Sequence, residues 1–206
     1  MSDIEYFYGV NSAFAYLGAA RLGEIATAAG RRIAHRPVML GKVVEAAHPQ
    51  GFANRSPAHR AYFFGREIER WSEYRGVPFK GGIPSNHRND TTLASTMLIA
   101  AIHADQDVDR LALTMMRAHW RDHADLSDPD TLSDLATQAG FDAAGLIRAA
   151  AEPACAAELN ANTEAAIERS VFGSPTYVVD GDMFYGQDRL ELVEHALRKP
   201  FARVWS

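Results

Sequence analysis

The sequence predicts an α/β fold in which a long all-helical stretch interrupts a small sheet. Strand patterns occur only towards the two ends of the 206-residue chain, and residues 41–168 carry helical periodicity alone. The apolar content of 47% is sufficient for one substantial core. We therefore expect a discontinuous α/β domain built from residues 1–40 and 169–206, with a helical insertion domain at residues 41–168.

The amino-terminal residues predict the first half of the sheet. Residues 4–9 are rich in aromatic side chains and indicate a buried strand. Phe14, Leu17 and Ile25 then recur at helical spacing until Gly30, and residues 32–40 indicate a second strand. A β-α-β start of this kind predicts two parallel strands joined by a right-handed crossover.

The middle of the chain predicts a series of helices, and its end predicts a hairpin and a last helix. The expected helices cover residues 58–75, 92–106, 108–123, 130–139, 142–150 and 154–169. Residues 176–180 and 183–185 flank the turn dipeptide Asp180-Gly181 and indicate two antiparallel strands. The last helix is expected to begin at Asp188.

Two loops have the features of the two halves of a thiol-binding site. The first strand breaks at Gly9 and opens into a helix with Ser12 at the turn, while Pro175 stands at the mouth of a late strand, where an X-Pro bond can be cis. A thioredoxin-like fold brings two such loops together. Its redox members have Cys-x-x-Cys at the turn, whereas this chain has Ser-Ala-Phe-Ala at residues 12–15. Any sulfur chemistry must therefore use a thiol from outside the chain, for which glutathione is the obvious candidate.

Four segments resemble the 2-hydroxychromene-2-carboxylate isomerases, which are related to the kappa-class glutathione transferases within the DsbA-like group. They are residues 6–17, 58–71, 83–86 and 171–190, and the last is the most specific. The resemblance implies a DsbA/kappa-type thioredoxin-like domain, glutathione as cofactor and a homodimer. It also implies the isomerisation of 2-hydroxychromene-2-carboxylate to trans-o-hydroxybenzylidenepyruvate in aromatic catabolism, by reversible thiolate addition.

Ser12 is the predicted catalytic residue. A free thiol has a pKa of about 8.5, and lowering it to about 6.5 requires about 2.7 kcal/mol. A serine hydroxyl that donates to the sulfur, together with the N–H groups at a helix start, can supply this stabilisation. The alternative is that Ser12 only caps the helix. Ala13 and Ala15 stand where relatives often have proline and a second serine, which affects the expected substrate more than glutathione binding.

The resemblance implies further binding residues for glutathione. The backbone of Ser174, before Pro175, would pair with the cysteinyl part as a short strand does. Gln187 and Asp188 would hold the γ-glutamyl end, with Asp188 accepting from the ammonium group. The alternatives are a purely structural proline turn and a capping box over residues 188–191.

The helical stretch is expected to bind the second substrate. The resemblance places Asn54, His59 and Asn86 where they would contact a carboxylate or phenolic oxygen. Relatives often carry lysine at the position of His59, and a histidine of ordinary pKa is mostly neutral at pH 7. Arg55 or Arg60 would then provide the positive charge, whereas the simpler alternative makes these residues solvated surface.

Composition and cysteine content argue against several other classes. The net charge is −5 without a basic cluster, so we expect no nucleic-acid partner. No apolar run of membrane-spanning length and no export signal is evident, so we expect no membrane partner. The single cysteine, Cys155, cannot form an intrachain disulfide, which suits a cytoplasmic protein. His119 and His123 lie one helical turn apart, but they lack the glutamate and the third ligand of a zinc helix, so no metal is expected.

Two other functions remain open from the sequence. A kappa-like glutathione transferase or peroxidase would use the same activated thiolate but release a conjugate or oxidised glutathione. A non-catalytic glutathione- or peptide-binding protein would keep the proline groove without turnover. The serine at position 12, where an inert residue would serve a binding protein equally well, favours an enzyme.

Overall fold

The sheet has four strands and mixed topology. The computed structural model describes residues 3–48 and 55–203. Its strands are β1 (Ile4–Tyr8), β2 (Ile33–Pro37), β3 (Thr176–Val179) and β4 (Asp182–Tyr185), in the order β2-β1-β3-β4. Strand β1 is parallel to β2 and antiparallel to β3, and β3 is antiparallel to β4. The predicted parallel pair and the predicted hairpin are both confirmed.

Helices surround this sheet and make up the described part of residues 41–168. They are α1 (Ala13–Ala29), α2 (Leu40–Ala47), α3 (Pro57–Ala61), α4 (Glu67–Arg75), α5 (Thr92–His103), α6 (Val108–Arg117), α7 (Pro129–Gln138), α8 (Ala143–Ala150), α9 (Pro153–Glu168) and α10 (Leu190–Arg198). A π-helical turn at Tyr62–Arg66 joins α3 to α4, and another at Ala118–Asp122 extends α6. A 3₁₀ turn, Gln187–Arg189, precedes α10. The predicted helices are therefore present, with ends that differ by a few residues.

Helix α2 was missed by the sequence prediction. The second strand ends at Pro37 rather than at residue 40, and the chain turns at once into α2. Gly41 and the β-branched Val43 and Val44 lower the intrinsic helix propensity of this segment. Val43 is completely buried in the apolar cluster that also contains Val38 and Ala166 of α9. Tertiary packing on α9 therefore outweighs the weak local preference.

The two faces of the sheet bury different side chains. Tyr6 and Tyr8 stack with a centroid separation of 4.2 Å and lie in the main core, together with Tyr177 of β3. Phe7 points to the opposite face and joins the cluster beneath α9, as the two-residue period of a strand requires. The main core continues without a break through α1, α5 and α6. The division at residues 41 and 168 into two domains stays a prediction.

Helix α1 approaches the 3₁₀ turn closely at Gly18. A Cβ atom at this position would lie 2.7 Å from the Cβ of Gln187 and 3.0 Å from the hydroxyl of Tyr177. Gly23 of the same helix has no atom within 4 Å of the corresponding point. The absence of a side chain at Gly18 therefore allows α1, which begins at the Ser12 turn, to pack against the carboxyl-terminal segment.

We expect Gly18→Ala and Gly23→Ala to change stability in opposite directions. Overpacking at residue 18 should lower the free energy of unfolding by about 1–3 kcal/mol. Alanine at residue 23 should raise the free energy of unfolding by about 0.5–1 kcal/mol, because it has less backbone entropy than glycine in the unfolded state. Urea unfolding of the two variants beside the wild type measures both values. Equal effects of the two substitutions would show that the close approach at Gly18 carries no strain.

Candidate active site

Ser12 is the N-cap residue of α1. Its backbone is extended (φ −73°, ψ 123°), and its Oγ accepts a hydrogen bond from the Ala15 N–H at 3.3 Å. Its own N–H donates to Gly9 O at 3.0 Å, which closes the turn between β1 and α1. The residue is buried, with 7% of its surface exposed. Ser12 therefore caps α1, and the cap places its hydroxyl at the positive end of a 17-residue helix, while its catalytic role stays a prediction.

The proline loop lies directly against this turn. The Ser174-Pro175 peptide bond is cis. The Ser12 hydroxyl donates to Ser174 O at 3.2 Å, and the Gly9 N–H donates to Ser174 Oγ at 3.2 Å. The two loops that the sequence singled out are therefore in direct contact.

Tyr185 of β4 packs on the proline loop. Its ring lies 4.6 Å from the ring of Phe172, and a Cβ atom on Gly173 would come within 2.5 Å of it. Burial raises the pKa of the Tyr185 phenol, so the group stays protonated at neutral pH. Gly173 thus gives Tyr185 room to form one wall of the site.

A cleft of about 1070 Å³ opens in front of Ser12 and Ser174. Its volume lies just above the usual range for small-molecule sites, about 300–1,000 Å³. Phe14, Phe64, Ile83 and Trp120 are among its apolar lining residues. Its charged lining residues within the described chain are Lys42, Arg60, Arg88 and Asp90. The excess of positive charge favours an anionic ligand.

Two side chains hold the Ser12 turn against the helical part of the chain. Trp120 Nε1 donates to Asn11 O at 3.1 Å, and Asn11 Nδ2 donates to His87 O at 3.1 Å. The residue before Ser12 is therefore fixed from two directions by residues that also line the cleft.

The three residues predicted to bind the substrate differ in their positions relative to the cleft. Asn54 lies outside the described residues. His59 is exposed on α3 and is absent from the described lining of the cleft, whereas its neighbour Arg60 is present there. Asn86 Nδ2 donates to His123 O at 2.9 Å, and its buried Oδ1 has no hydrogen-bond partner among the described residues. The substrate contacts of these three residues stay predictions.

Gln187 and Asp188 differ in accessibility. Gln187 is 1% exposed, and Arg75 donates to its side-chain Oε1 and to its backbone O, both at 3.2 Å. Asp188 is exposed and accepts from Arg189 Nη1 at 2.7 Å. The predicted helix start at Asp188 and the capping box are wrong, because a 3₁₀ turn precedes α10 and the cap residue, Arg189, makes no capping hydrogen bond through its side chain. The contacts of Gln187 and Asp188 with glutathione stay predictions.

The sequence interpretation missed several site residues, namely Lys42, His87, Arg88, Trp120 and Tyr185. Lys42 was overlooked because α2 was not expected. His87 directly follows residues 83–86, which carry part of the family resemblance, and this position is the sequence feature that could have indicated a site residue. The His119 ring contacts Ala124 O through Nδ1 at 2.9 Å and Nδ1 of His87 through Nε2 at 3.0 Å. Within residues 3–48 and 55–203, no three His, Cys, Asp or Glu side chains are grouped as a metal site requires.

The fold and the turn define a thioredoxin-like protein in which serine replaces the redox dithiol. A family model described as a DSBA-like thioredoxin domain matches residues 3–198. The chain therefore belongs to the DSBA-like thioredoxin family, and the predicted fold class is confirmed.

Individual relatives agree with the resemblance that the motifs indicated. The chain is 28% identical over 196 residues to a 2-hydroxychromene-2-carboxylate isomerase of Sphingobium xenophagum, a match that covers 94% of this chain and 97% of the relative. The solved structure of a 2-hydroxychromene-2-carboxylate isomerase matches with a TM-score of 0.80 at 24% identity and covers 95% of this chain and 94% of that one. The cytosolic disulfide reductase DsbM from Pseudomonas aeruginosa with GSH matches with a TM-score of 0.67 at 15% identity, over 95% and 99% of the two chains.

We expect Ser12→Ala to lower the free energy of unfolding by about 1–2 kcal/mol, because it removes a helix cap and a buried hydrogen bond to Ser174. Ser133→Ala in α7 is the control, since it removes a hydroxyl from a helix interior, where alanine is preferred. Thermal and urea unfolding measure both changes. A Ser12→Ala variant as stable as the wild type would show that the cap and the hydrogen bond to Ser174 do not stabilise the fold.

Proposed function

We propose that this protein is a glutathione-dependent isomerase that converts 2-hydroxychromene-2-carboxylate to trans-o-hydroxybenzylidenepyruvate in the catabolism of aromatic compounds. The observation that carries the proposal is the contact between the helix-capping Ser12 hydroxyl and the cis-proline loop, both of which line a cleft with an excess of positive charge. The similarity to curated relatives with this isomerase name over 94% of the chain supports it.

The residues around Ser12 suit a bound thiolate. The sulfur would lie at the amino end of α1, where the helix dipole and the first N–H groups favour an anion. The Ser12 Oγ–H would turn from Ser174 O towards the sulfur, because a charged acceptor forms the stronger hydrogen bond. The Ser174 backbone would hold the cysteinyl part. When bound, glutathione supplies a nucleophile that adds reversibly to a conjugated carbon and so permits rotation about the former double bond.

The rest of the cleft suits an aromatic carboxylate. Lys42, Arg60 and Arg88 would attract the carboxylate, and Phe64 and Trp120 would contact the ring. Arg60 takes the role of cation that the sequence interpretation left to Arg55 or Arg60. By holding the substrate beside Ser12, these side chains contribute to the rate through positioning.

The compartment and the assembly form part of the same proposal. Cys155 is buried without a disulfide partner, and burial raises the pKa of its thiol, which suits a protein of the reducing cytoplasm. None of the helices in the described residues is long and apolar enough to cross a membrane. The homodimer rests on the family resemblance.

The pKa of the glutathione thiol should fall by about one to three pH units when the peptide binds the wild-type protein. It should return towards its free value with Ser12→Ala, because that variant loses the donor to the sulfur. The ultraviolet absorbance of the thiolate, followed against pH, measures both values. Asp142→Ala is the matched control, since it removes the cap of α8 away from the cleft. An unchanged thiol pKa with the wild type would contradict the proposal.

The wild type with glutathione should convert 2-hydroxychromene-2-carboxylate without net consumption of glutathione, and Ser12→Ala should lower kcat by about 10²-fold or more. Chromatography of substrate, product and glutathione measures this. A conjugate or oxidised glutathione as the product would instead indicate the transferase or peroxidase alternative. Glutathione binding without any turnover would indicate a binding protein.

Removing two cations of the cleft, in Lys42→Met/Arg60→Met, should raise KM for the carboxylate substrate about tenfold or more, with a smaller effect on kcat. Arg66→Met is the control, because Arg66 pairs with Glu69 at 3.4 Å on the exposed surface and does not line the described cleft. Steady-state kinetics of the three proteins test the assignment. An unchanged KM in the double variant would show that the carboxylate is bound elsewhere.

A further inference from the structure

Two histidines form a hydrogen-bonded pair at the wall of the cleft. His87 lies between α4 and α5 and lines the cleft that contains Ser12. Its Nδ1 lies 3.0 Å from Nε2 of His119, and the two rings stack with centroids 5.3 Å apart and an interplanar angle of 28°. His119 is 1% exposed and lies behind His87, in the π-helical turn that extends α6. His87 is therefore the member of the pair that meets the cleft.

The hydrogen bonds determine which ring nitrogens carry protons. The carbonyl oxygen of Ala124 lies 2.9 Å from His119 Nδ1 and can only accept, so Nδ1 of His119 must be the donor. In a neutral His119 ring, Nε2 then has a lone pair, and it accepts the proton carried by His87 Nδ1. A neutral His87 ring is left with an unprotonated Nε2.

This Nε2 atom is not fully buried. It has no hydrogen-bond partner among the described residues, and it is not one of their buried polar atoms without a partner. His87 is half-buried, and its ring also packs on Trp120 at a centroid distance of 5.1 Å. His87, which lines the cleft, thus has one hydrogen-bond acceptor without a partner among the described residues, and three of the four charged residues in the described lining are cations.

We propose that His87 determines substrate specificity by accepting, at Nε2, a hydrogen bond from a hydroxyl group of the aromatic substrate, and that His119 acts through it as a positioning residue. The proposal rests on the proposed function for the identity of the ligand, since 2-hydroxychromene-2-carboxylate carries a hydroxyl group and its ring-opened product carries a phenol. No covalent step is assigned to His87.

The surroundings keep His87 neutral. Burial, together with the neighbouring His119 and Arg88, lowers the pKa of His87 to about 4, and burial also lowers the pKa of His119. At neutral pH the ring cannot act as a cation for the carboxylate, which is the role of Lys42, Arg60 and Arg88. The two polar groups of the substrate are thereby recognised by different residues, the carboxylate by cations and the hydroxyl by an acceptor.

The position of His87 is tied to the reacting turn. Its backbone O accepts from Asn11 Nδ2, and Asn11 O accepts from Trp120 Nε1, the side chain on which the His87 ring packs. Asn11 immediately precedes Ser12. These hydrogen bonds tie His87 to the turn that carries Ser12, so a hydroxyl bound at His87 would orient the aromatic ring relative to Ser12.

A pair of ligands that differ only in their hydroxyl group tests the proposal. 2-Hydroxycinnamate and 2-methoxycinnamate share the aromatic ring and the carboxylate, but only the first can donate to Nε2. Titration calorimetry with the glutathione-loaded wild type should give about tenfold or tighter binding of the hydroxy compound. His87→Phe should abolish this preference while it keeps the binding of the methoxy compound, and His87→Gln, which retains an acceptor, should restore part of it. Equal binding of the two ligands by the wild type, or a preference that persists in His87→Phe, would overturn the proposal.

Two further measurements separate this inference from the proposed function and from folding. In turnover of 2-hydroxychromene-2-carboxylate, His87→Phe should raise KM about tenfold with kcat changed less than threefold. If the wild type shows no turnover, the proposed function fails, while the cinnamate pair still tests His87. The ¹⁵N spectrum of the wild type at pH 7 should show His87 protonated at Nδ1 only, and the opposite tautomer would overturn the proposal without any variant.

Discussion

The site depends on two hydrogen bonds that join the beginning of the chain to its end. Ser12 donates to Ser174 O and the Gly9 N–H donates to Ser174 Oγ, across 162 and 165 residues of sequence. Neither loop has a functional geometry by itself, since the first is a helix cap and the second a proline turn. Strand β1 lies between β2 and β3 in the sheet. Its antiparallel pairing with β3 brings the two loops together, because it places the start of β3 beside the turn that leads into α1. The pairing register of β1 and β3 therefore determines whether the two loops of the candidate active site meet.

A serine in this arrangement changes what a thioredoxin-like fold can do. A dithiol exchanges electrons, whereas the helix-capping hydroxyl of Ser12 has no thiol–disulfide chemistry and can donate and accept hydrogen bonds. Without the dithiol, the turn can still act electrostatically, because the amino end of a long helix lies there beside a polar loop. Such a place favours an anion brought from outside, and this is why a fold shared with disulfide reductases suits a reaction without redox change.

In the proposed function, the segments between the two parts of the sheet supply the selectivity for the substrate. Lys42 and Arg60 bring charge, Trp120 brings an apolar wall and a hydrogen bond to Asn11, and the His87–His119 pair brings a neutral acceptor. These groups come from four separate segments of the chain, namely α2, α3, the stretch before α5 and the π-helical turn that extends α6. The arrangement of the cleft therefore depends on how these segments pack on the two apolar clusters.

The sequence by itself determined the element types and the two loops of the site, because these follow from local patterns. A strand that breaks at Gly9 before a capping serine, and a proline at the mouth of a strand, are visible within about ten residues of chain. Helix α2, with Lys42, escaped this reasoning because its formation depends on the burial of Val43 against α9 rather than on propensity. The accessibility of Gln187 and the protonation of His87 were likewise decided only by the tertiary structure. Burial and the identity of a hydrogen-bond partner are properties of contacts between residues distant in sequence, and no local pattern encodes them.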